Sequence, residues 1–590
     1  MTYSLRQCAA LAGVAAMAVL AACGSDSNDG TTRPVVVPAP TAVTVTASGS
    51  RAAKVTFSGQ TGDNSYVVQR ADGSTGGTFA QVGTVNASAT TLSYDDAGLT
   101  PGATYRYRVA AMRGATQSAF STEAAVTTLS VGGSVTLSTD ITASRTLYAD
   151  TTYTLKGFIH VTNGATLTIQ PGTTIQGDFA TLGSSLFIMR GAKINAVGTA
   201  ASPIVFTSSQ PSGQRQPGDW GGLIIIGNGI INRTGNIEIE GTGTVTGTTS
   251  GTNYQVLYSG GTANDDDSGE LKYVRVEFAG FAPSLNNELN SFTFGAVGSK
   301  TKVSYVQALA GLDDSFEFFG GAVDGDHLVS YEAGDDNFDM SEGYSGRLQF
   351  VISFNSTVLT QRPNAGQPAS DPEGIENDGC NGTGCTLGFN SAPFTIPVIA
   401  NFTIVGTGDP ATSGTSGGIG MMLRRGTGGY YVNGIVAKYP RAGISLRDAE
   451  TFVRAGSVPT PDLATADLAV RNILFVETPT IFQTGGTSPQ NAFDLATNGL
   501  VASNATAATT FTAFPATVTA TTTATAFDWT PAAGSAAATG GLAAFTGKLA
   551  AKVAAPLASG NGSIAGTAYL GAAAPGGTKW WDGWTRYARN

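Results

Sequence analysis

Short runs of alternating apolar and polar residues, separated by Gly, Asn and Asp, fill the chain from residue 41 to residue 128. Seven such runs occur, at residues 42–47, 53–57, 66–70, 79–85, 91–94, 104–110 and 123–127. A period of two is typical of strands with one buried face, and closely spaced short strands indicate two packed sheets. We therefore predict a β-sandwich over 41–128.

Beyond residue 132 the pattern changes to strand-like apolar runs that recur along the chain. The segment 313–317 (DDSFE) returns 22 residues later as 335–339 (DDNFD). Residues 161–167 likewise return as residues 188–194, with Gly164 and Gly191 27 residues apart. Repeats of this length, built from short strands and turns, are typical of a parallel β-helix, in which each coil covers its neighbour's strand edges. The sequence thus predicts an all-β chain with a parallel β-helix over 132–500.

Two further features concern the outside of this β-helix. Three asparagines precede apolar strands at equivalent places, and we expect a ladder of amides at a turn: Asn401, Asn433 and Asn472. The Ala- and Thr-rich segment 501–590 ends in three tryptophans that we expect to cover the last coil: Trp580, Trp581 and Trp584. An uncovered last coil would leave a sheet edge open to aggregation.

The first 22 residues have the pattern of a secretory signal. Their apolar stretch, residues 9–22, has 14 residues and is too short to remain as a membrane-spanning helix. Residues 20–24 read Leu-Ala-Ala-Cys-Gly, which resembles the lipobox of bacterial lipoproteins. The resemblance implies lipidation of Cys23, a flexible linker over 23–40, and a lipid anchor facing the periplasm or the cell surface, with the outer membrane favoured. The alternative is an ordinary signal peptide with a chance cysteine.

Charge and cysteine usage narrow the function classes. The chain has 32 Lys and Arg against 42 Asp and Glu, a formal net charge of −10, which argues against nucleic acid as a partner. Its two histidines, His160 and His327, leave little room for His-based catalysis. Cys380 and Cys385 frame a short Gly-containing loop, and we expect them to form a disulfide in an oxidising compartment.

Particular motifs carry resemblances to known families. Residues 99–109 (LTPGATYRYRV) resemble the corner between strands E and F of fibronectin type III domains, which implies that Tyr105 is the corner tyrosine. Phe57 stands where that family usually has a core Trp. Residues 164–175, 201–208 and 217–224 resemble the opening of secreted bacterial right-handed β-helix proteins of the pectate-lyase-like type. Enzymes, adhesins and scaffolds share that solenoid, so the resemblance implies a fold and leaves the function open.

The DDxFE repeat is the main candidate for a binding site. A 22-residue coil places Asp313, Asp314 and Glu317 directly beside the equivalent residues of the next coil, which are Asp335, Asp336 and Asp339. Glu376 belongs to a further copy, at residues 374–378. Carboxylates one rung apart repel unless a cation lies between them or they keep their protons. We expect a structural Ca²⁺ here; the alternatives are polar turns without metal and a catalytic or ligand-binding metal.

Basic residues supply a second candidate. We place Arg347, Arg424 and Arg425 at a candidate ligand groove facing the acidic repeat, with surface ion pairs as the alternative. The leading hypothesis is an exported lipoprotein in which the sandwich domain is a spacer. Its Ca²⁺-stabilised β-helix would serve binding, adhesion or scaffolding, with a polysaccharide or another outer-membrane protein as partner. The alternative is a lyase acting on acidic polysaccharides, with Ca²⁺ neutralising a uronate and an Arg or Lys abstracting the proton.

Overall fold

A computed structural model describes residues 36–243, 254–366, 372–412, 417–456, 460–483 and 493–589. The predicted signal, Cys23 and most of the predicted linker lie outside these residues. Within the described part of the chain, no helix has both the length and the apolar character needed to cross a membrane.

The N-terminal domain is a sandwich of two antiparallel sheets. Its strands are β1 (Thr41–Gly49), β2 (Ala52–Ser58), β3 (Ser65–Asp72), β4 (Ala80–Asn86), β5 (Thr91–Ala97), β6 (Thr104–Arg113), β7 (Thr116–Gln117) and β8 (Ala124–Thr127). One sheet has the order β1-β2-β5; in the other, β4-β3-β6-β7 are joined by β8, which pairs with β6. Each of the seven alternating runs forms one strand, because alternation buries one face of each sheet.

Two aromatic residues, Tyr105 and Phe57, occupy the corner and core positions of this domain that the sequence predicts. The Tyr105 hydroxyl accepts a hydrogen bond from the Thr100 amide at 2.9 Å, which is the corner contact expected from the motif. Phe57 is buried and packs against Tyr66 with ring centroids 5.0 Å apart. Phenylalanine therefore fills the core position in this chain.

Ten short strands form the first coils of the second domain. They are β9 (Gly133–Leu137), β10 (Arg145–Leu147), β11 (Thr151–Leu155), β12 (Phe158–Val161), β13 (Thr166–Ile169), β14 (Thr174–Gly177), β15 (Ser185–Ile188), β16 (Lys193–Val197), β17 (Ile204–Ser208) and β18 (Gly222–Ile226). They pair only in parallel, in three rows: β9-β11-β14-β17, β10-β13-β16 and β12-β15-β18. Three parallel rows around an apolar interior define a parallel β-helix, which confirms the predicted fold class.

From residue 269 onward two of the three rows merge into long strands. These are β19 (Gly269–Glu277), β23 (Lys302–Leu309), β25 (Asp324–Tyr331), β27 (Arg347–Phe354), β29 (Val398–Val405), β31 (Gly429–Ala437) and β33 (Leu468–Val476). The first half of β19 pairs with β16 and its second half with β17. Tyr273, with a φ of 50°, lies between the halves, so a single left-handed residue makes the bend between two faces.

The remaining row continues as one nine-stranded parallel sheet. Its order is β12-β15-β18-β22-β24-β26-β28-β30-β32. The added strands are β22 (Phe292–Gly295), β24 (Phe316–Phe319), β26 (Phe338–Ser341), β28 (Ile375–Asp378), β30 (Ile419–Arg424) and β32 (Ala442–Leu446). This nine-stranded sheet carries the acidic repeat.

Shorter elements lie around the coils. They are the hairpin β20 (Phe281–Ser284) and β21 (Asn287–Leu289), strand β34 (Leu500–Ser503), the pair β35 (Phe511–Ala513) and β36 (Asp528–Pro531), and the helices α1 (Ala449–Ala455), α2 (Leu495–Asn498), α3 (Ala507–Thr510) and α4 (Gly547–Val553). Single 3₁₀ turns occur at Gly388–Asn390, Pro410–Thr412, Ala524–Ala526 and Ala536–Ala538.

The C-terminal segment, residues 504–589, packs along the side of the long strands. Trp584 contacts Tyr273 and Tyr305, and Trp580 contacts His327, all on middle coils. The expectation that the tryptophans cover the last coil is therefore wrong. The aromatic residues at the left-handed bend stack into an apolar surface along the middle coils, and the indole rings bury it.

The three asparagines do lie at a turn, with φ values of 55° for Asn401, 59° for Asn433 and 53° for Asn472. Their amides also contact the C-terminal segment: Asn433 Nδ2 donates to the Leu542 carbonyl at 3.2 Å and Asn472 Nδ2 to the Gly540 carbonyl at 2.7 Å. These residues therefore hold the chain that lies across the coils, a partner that the repeat pattern does not contain.

The sandwich domain contacts the β-helix where the first coil leads into the second. The Tyr153 hydroxyl donates to the Ser48 carbonyl at 3.2 Å, and the Ser50 amide donates to Thr151 Oγ1 at 3.3 Å. Arg51 Nε lies 3.3 Å from Asp150 Oδ2. The domain therefore packs on the N-terminal end of the β-helix, where the first coil would otherwise expose its edge.

Candidate functional site: an acidic cavity on the nine-stranded sheet

Neighbouring positions of the nine-stranded sheet form two columns with opposite environments. The inward column includes Phe292, Phe316 and Phe338, whose rings stack in parallel with centroids 5.1 and 5.2 Å apart. The register also aligns, on the outer face, His160, Phe187, Ile224, Thr293, Glu317, Asp339, Glu376, Met422 and Ser445. The 22-residue repeat thus places Glu317 beside Asp339, as the sequence predicts.

The turns before these strands repeat as well. The Asp336 amide donates to Asp314 Oδ1 at 2.8 Å, and one coil further the Glu373 amide donates to Asp336 Oδ1 at 2.7 Å. An aspartate in each turn therefore accepts from the backbone of the next coil and so stabilises the stacking.

The carboxyl groups surround one cavity of about 490 Å³. Its walls carry twelve acidic side chains: Glu240, Glu288, Asp313, Asp314, Glu317, Asp335, Asp336, Asp339, Glu342, Glu373, Glu376 and Asp378. Three arginines line it as well: Arg233, Arg424 and Arg425. The cavity is therefore strongly acidic, and all seven residues predicted as metal ligands from the repeat lie in its walls.

Within the described residues the carboxyl groups form four overlapping sets, in each of which one oxygen per residue lies within 4.8 Å of the others. The sets are Asp313–Asp314–Asp335, Asp314–Glu317–Asp339, Asp335–Asp336–Glu373 and Asp336–Asp339–Glu376. Asp313 and Glu317 are only 6% and 3% exposed, yet Asp313 Oδ1 and Glu317 Oε1 have no hydrogen-bond partner. Asp339 Oδ1 also lacks one. A buried carboxylate oxygen without a donor is costly, so these atoms point to a ligand.

Burial and mutual repulsion both raise the pKa values of the carboxyl groups in the cavity. Burial raises the pKa values of Asp313, Asp314 and Glu317 well above the usual range, and the neighbouring carboxylates raise them further. The same causes, burial first, raise the pKa values of Glu240 and Glu376 to about 8. Without a cation, some of these groups therefore keep their protons near neutral pH.

The arginines of the cavity are held by ion pairs. Arg424 donates to Glu376 and, through Nε, to Asp378 Oδ1 at 2.8 Å, while Arg425 donates to the other oxygen of Asp378. Arg233 Nη1 donates to Glu342 Oε1 at 2.5 Å. The predicted placement of Arg424 and Arg425 beside the acidic repeat thus matches their positions, and both neutralise part of it.

Arg347 does not belong to this site. It lies at the start of β27, pairs with Asp324 at 2.5 Å, and donates to the Ala555 carbonyl, just after α4, at 2.6 Å. The prediction that it lies at the candidate groove facing the acidic repeat is therefore wrong. The chain turns a corner between 341 and 347 and carries this side chain to another face, where it holds the C-terminal segment.

The disulfide loop adjoins the cavity. Cys380 and Cys385 are bonded, with Cα atoms 5.8 Å apart, and Gly379 and Asn381 line the cavity. Arg233 Nε donates to the Thr383 carbonyl in the loop at 2.7 Å. The loop therefore helps to hold Arg233 at the cavity wall.

Several cavity residues have no counterpart in the repeat. Arg233, Glu240 and Glu288 come from the chain on either side of residues 244–253, and they reach the cavity across the outer face of the sheet. Asn290 Nδ2 donates to Glu240 Oε1 at 2.7 Å and so ties this wall to the sheet. Asp378, in contrast, follows Glu376 by two residues and was recognisable from the repeat copy at 374–378.

The donor set suits a hard divalent cation. All candidate ligands are oxygens, several carboxylates come from adjacent turns, and the strand spacing of about 4.8 Å lets neighbouring rungs bind one ion. Ca²⁺ takes six to eight such oxygens in flexible geometry, so it fits better than Zn²⁺, which favours His and Cys.

Fold and site together define an all-β protein in which a small sandwich precedes a parallel β-helix with an acidic cavity on one face. Residues 139–532 match the family model described as the pectate-lyase like beta helix domain. Because this match covers most of the chain, the protein belongs to that family. Residues 38–127 match the fibronectin type III domain, and the combination fits a surface or extracellular protein.

Solved structures similar to this chain include fibronectin type III domains. A Fn3-like protein from Clostridium thermocellum is 32% identical, with a TM-score of 0.14, over 15% of this chain and 90% of that chain. The third fibronectin III domain of the human KIAA0343 protein is 18% identical, with a TM-score of 0.15, over 18% of this chain and 94% of that chain. No curated protein sequence matches this chain.

Proposed function

We propose that this protein is an exported binding or scaffolding protein whose β-helix is stabilised by divalent cations, Ca²⁺ in the first place, in the acidic cavity. The single observation that carries the proposal is the set of buried carboxylate oxygens without hydrogen-bond partners, on Asp313, Glu317 and Asp339, facing one cavity. A cation bound there would offset their repulsion and supply the missing partner.

The state of the arginines favours binding over catalysis. A lyase would need a basic group able to accept a proton from its substrate. Arg424 is held between two carboxylates, and although burial alone would lower its pKa, Asp378 and Glu376 raise it further above the usual range. A guanidinium in this setting stays protonated and serves to neutralise charge.

The cation part is tested by thermal unfolding of the purified chain with Ca²⁺ and with a chelator. We expect a higher Tm with Ca²⁺, since a ligand at a hundredfold excess over its Kd stabilises the folded state by about 2.7 kcal/mol. Glu317→Gln should reduce this gain, whereas Asp265→Asn should leave it unchanged. Asp265 is a matched control because it is exposed and pairs with Lys300 on another surface. An equal Tm in both solutions would remove the cation from the proposal.

A lyase acting on acidic polysaccharides is the second candidate, favoured by the pectate-lyase-like family and by the partial exposure of Arg425, whose side chain is 30% accessible. It predicts ultraviolet absorbance from unsaturated products when polyuronates are supplied with Ca²⁺. Absence of such absorbance across a panel of acidic glycans, with Ca²⁺ binding retained, would favour the binding role.

We also propose export through the N-terminal signal and lipidation of Cys23, with the protein anchored to the outer membrane on its periplasmic or cell-surface face. The support is the motif at residues 20–24 and the domain combination. Mass spectrometry of the N-terminal peptide from the native host should find a diacylglycerol on Cys23, and Cys23→Ser should release the protein from the membrane fraction. A polysaccharide or a neighbouring outer-membrane protein remains the expected partner.

A further inference from the structure

The four carboxylate sets of the cavity follow the coil repeat in part. Shifting Asp314–Glu317–Asp339 by one coil gives Asp336–Asp339–Glu376. Shifting Asp313–Asp314–Asp335 gives Asp335, Asp336 and Pro372, and Glu373, the residue after this proline, completes the observed set. Four residues consequently belong to two sets each: Asp314, Asp335, Asp336 and Asp339. Neighbouring sets therefore have a carboxylate in common, and that carboxylate has two oxygens with which to bind two ions.

The charge of the cavity exceeds what one ion can balance. Twelve carboxylates against three guanidinium groups leave a large negative surplus when all are ionised, and one divalent cation removes only two charges of it. Two divalent cations close together repel each other, but bridging carboxylates between them reduce this repulsion. The composition of the walls therefore favours more than one bound ion.

The two sets that meet at Asp314 have the strongest reason to be filled. One contains Asp313 and the other contains Glu317 and Asp339, and each of these three residues has a carboxylate oxygen without a hydrogen-bond partner. Asp314 is 5% exposed, and its Oδ1 accepts from the Asp336 amide, which fixes the orientation of the side chain. A carboxylate oxygen that accepts one hydrogen bond keeps a second lone pair, so both oxygens of Asp314 remain able to bind an ion.

Resting on the proposed function, we infer that the cavity binds a pair of divalent cations bridged by Asp314, one held with Asp313 and Asp335 and the other with Glu317 and Asp339. The pair fills cooperatively, because the first ion holds the turns of the two coils together and the second ion binds side chains on turns that are already ordered.

Binding stoichiometry on the full chain tests the pair. Calorimetric titration with Ca²⁺ should give at least two ions and a Hill coefficient above 1. Asp314→Asn should weaken binding at both sites by more than tenfold, whereas Glu317→Gln should weaken one site and leave the other with a Hill coefficient of 1. Asp265→Asn is the matched control and should bind as the unchanged protein does.

A measurement on the unchanged protein keeps the inference testable if a variant fails to fold. Mn²⁺ used as a probe should give the multiline electron paramagnetic resonance spectrum of two exchange-coupled ions once two equivalents are added. The six-line spectrum of isolated Mn²⁺ at saturation would overturn the pair while leaving the proposed cation site intact. No bound Mn²⁺ or Ca²⁺ under any condition would overturn both.

Discussion

Two adjacent columns of one sheet show how the same stacking geometry can stabilise or strain a fold. In the inward column Phe316 lies over Phe338, and such ring pairs contribute about 0.5–1.5 kcal/mol beyond their burial. In the outer column Glu317 lies beside Asp339 one rung away. Two charges at the strand spacing of about 4.8 Å repel by about 3 kcal/mol at an effective dielectric constant of 20.

Within the outer column, the first coils also differ from the coils that carry the acidic residues. On the first coils this column holds His160, Phe187 and Ile224, which are buried under apolar residues of the covering chain. Only the coils from Glu317 to Glu376 place like charges together, and there the covering chain leaves a cavity. An apolar residue would fit the same column at lower cost, so the acidic rungs are what the proposed cation site would require.

The largest effect is expected for the inward column. Phe338→Ala removes a buried ring between Phe316 and Ile375, and truncations of this kind cost about 3–5 kcal/mol of unfolding free energy. Denaturant unfolding in Ca²⁺ and in chelator should show a similar loss, because the proposed cation site does not include this column. A loss confined to one of the two solutions would mean that the columns are not independent.

The second effect is a pH dependence of the chain without cations. Folding raises the pKa values of Glu240 and Glu376 from 4.5 to about 8, so the folded state holds these protons more tightly than the unfolded state. The resulting stability is fully present below about pH 4.5 and is lost as pH rises towards 8. In chelator we expect the free energy of unfolding to fall by about 2 kcal/mol or more between pH 5 and pH 8.

Saturating Ca²⁺ is the control for this pH effect. A bound cation takes the place of the protons, so with Ca²⁺ the free energy of unfolding should not fall between pH 5 and pH 8. It should rise, because ionised carboxyl groups bind the cation more tightly. Parallel pH profiles with and without Ca²⁺ would contradict the view that protons and cations compete for one cavity.

The third prediction is a substitution that should stabilise the chain in chelator and destabilise it in Ca²⁺. Asp339→Asn removes one of the repelling charges, so in chelator the variant should be more stable than the unchanged chain by about 1 kcal/mol. In Ca²⁺ it should be less stable, since a ligand is lost. Thermal unfolding in the two solutions measures both, and a loss of stability in both would mean that Asp339 has a structural role only.

How far the sequence predicts this site depends on which residues obey the 22-residue period. Phe316, Phe338, Glu317 and Asp339 obey it, and their predicted neighbours are found in register. Glu240 and Glu288 do not, because they belong to the chain that covers the sheet, whose path depends on packing rather than on a repeat.

The position of Arg347 also lies beyond what the period predicts. The period predicts which rung a residue occupies but not which of three faces, since one left-handed residue at a bend redirects the strand. The fold class needed only the period and the alternation, and both were visible in the sequence.

The smallest effect is expected where the apolar part of the outer column meets its acidic part. Thr293 lies between Ile224 and Glu317 in the outer column, and its buried hydroxyl has no hydrogen-bond partner. Thr293→Val keeps the shape and removes that hydroxyl, so unfolding free energy should stay within about 0.5 kcal/mol or rise slightly. Thr293→Glu would instead extend the acidic rungs by one, and it should lower Tm in chelator with partial recovery in Ca²⁺. Equal loss in both solutions would place this rung outside the cation-binding part of the column.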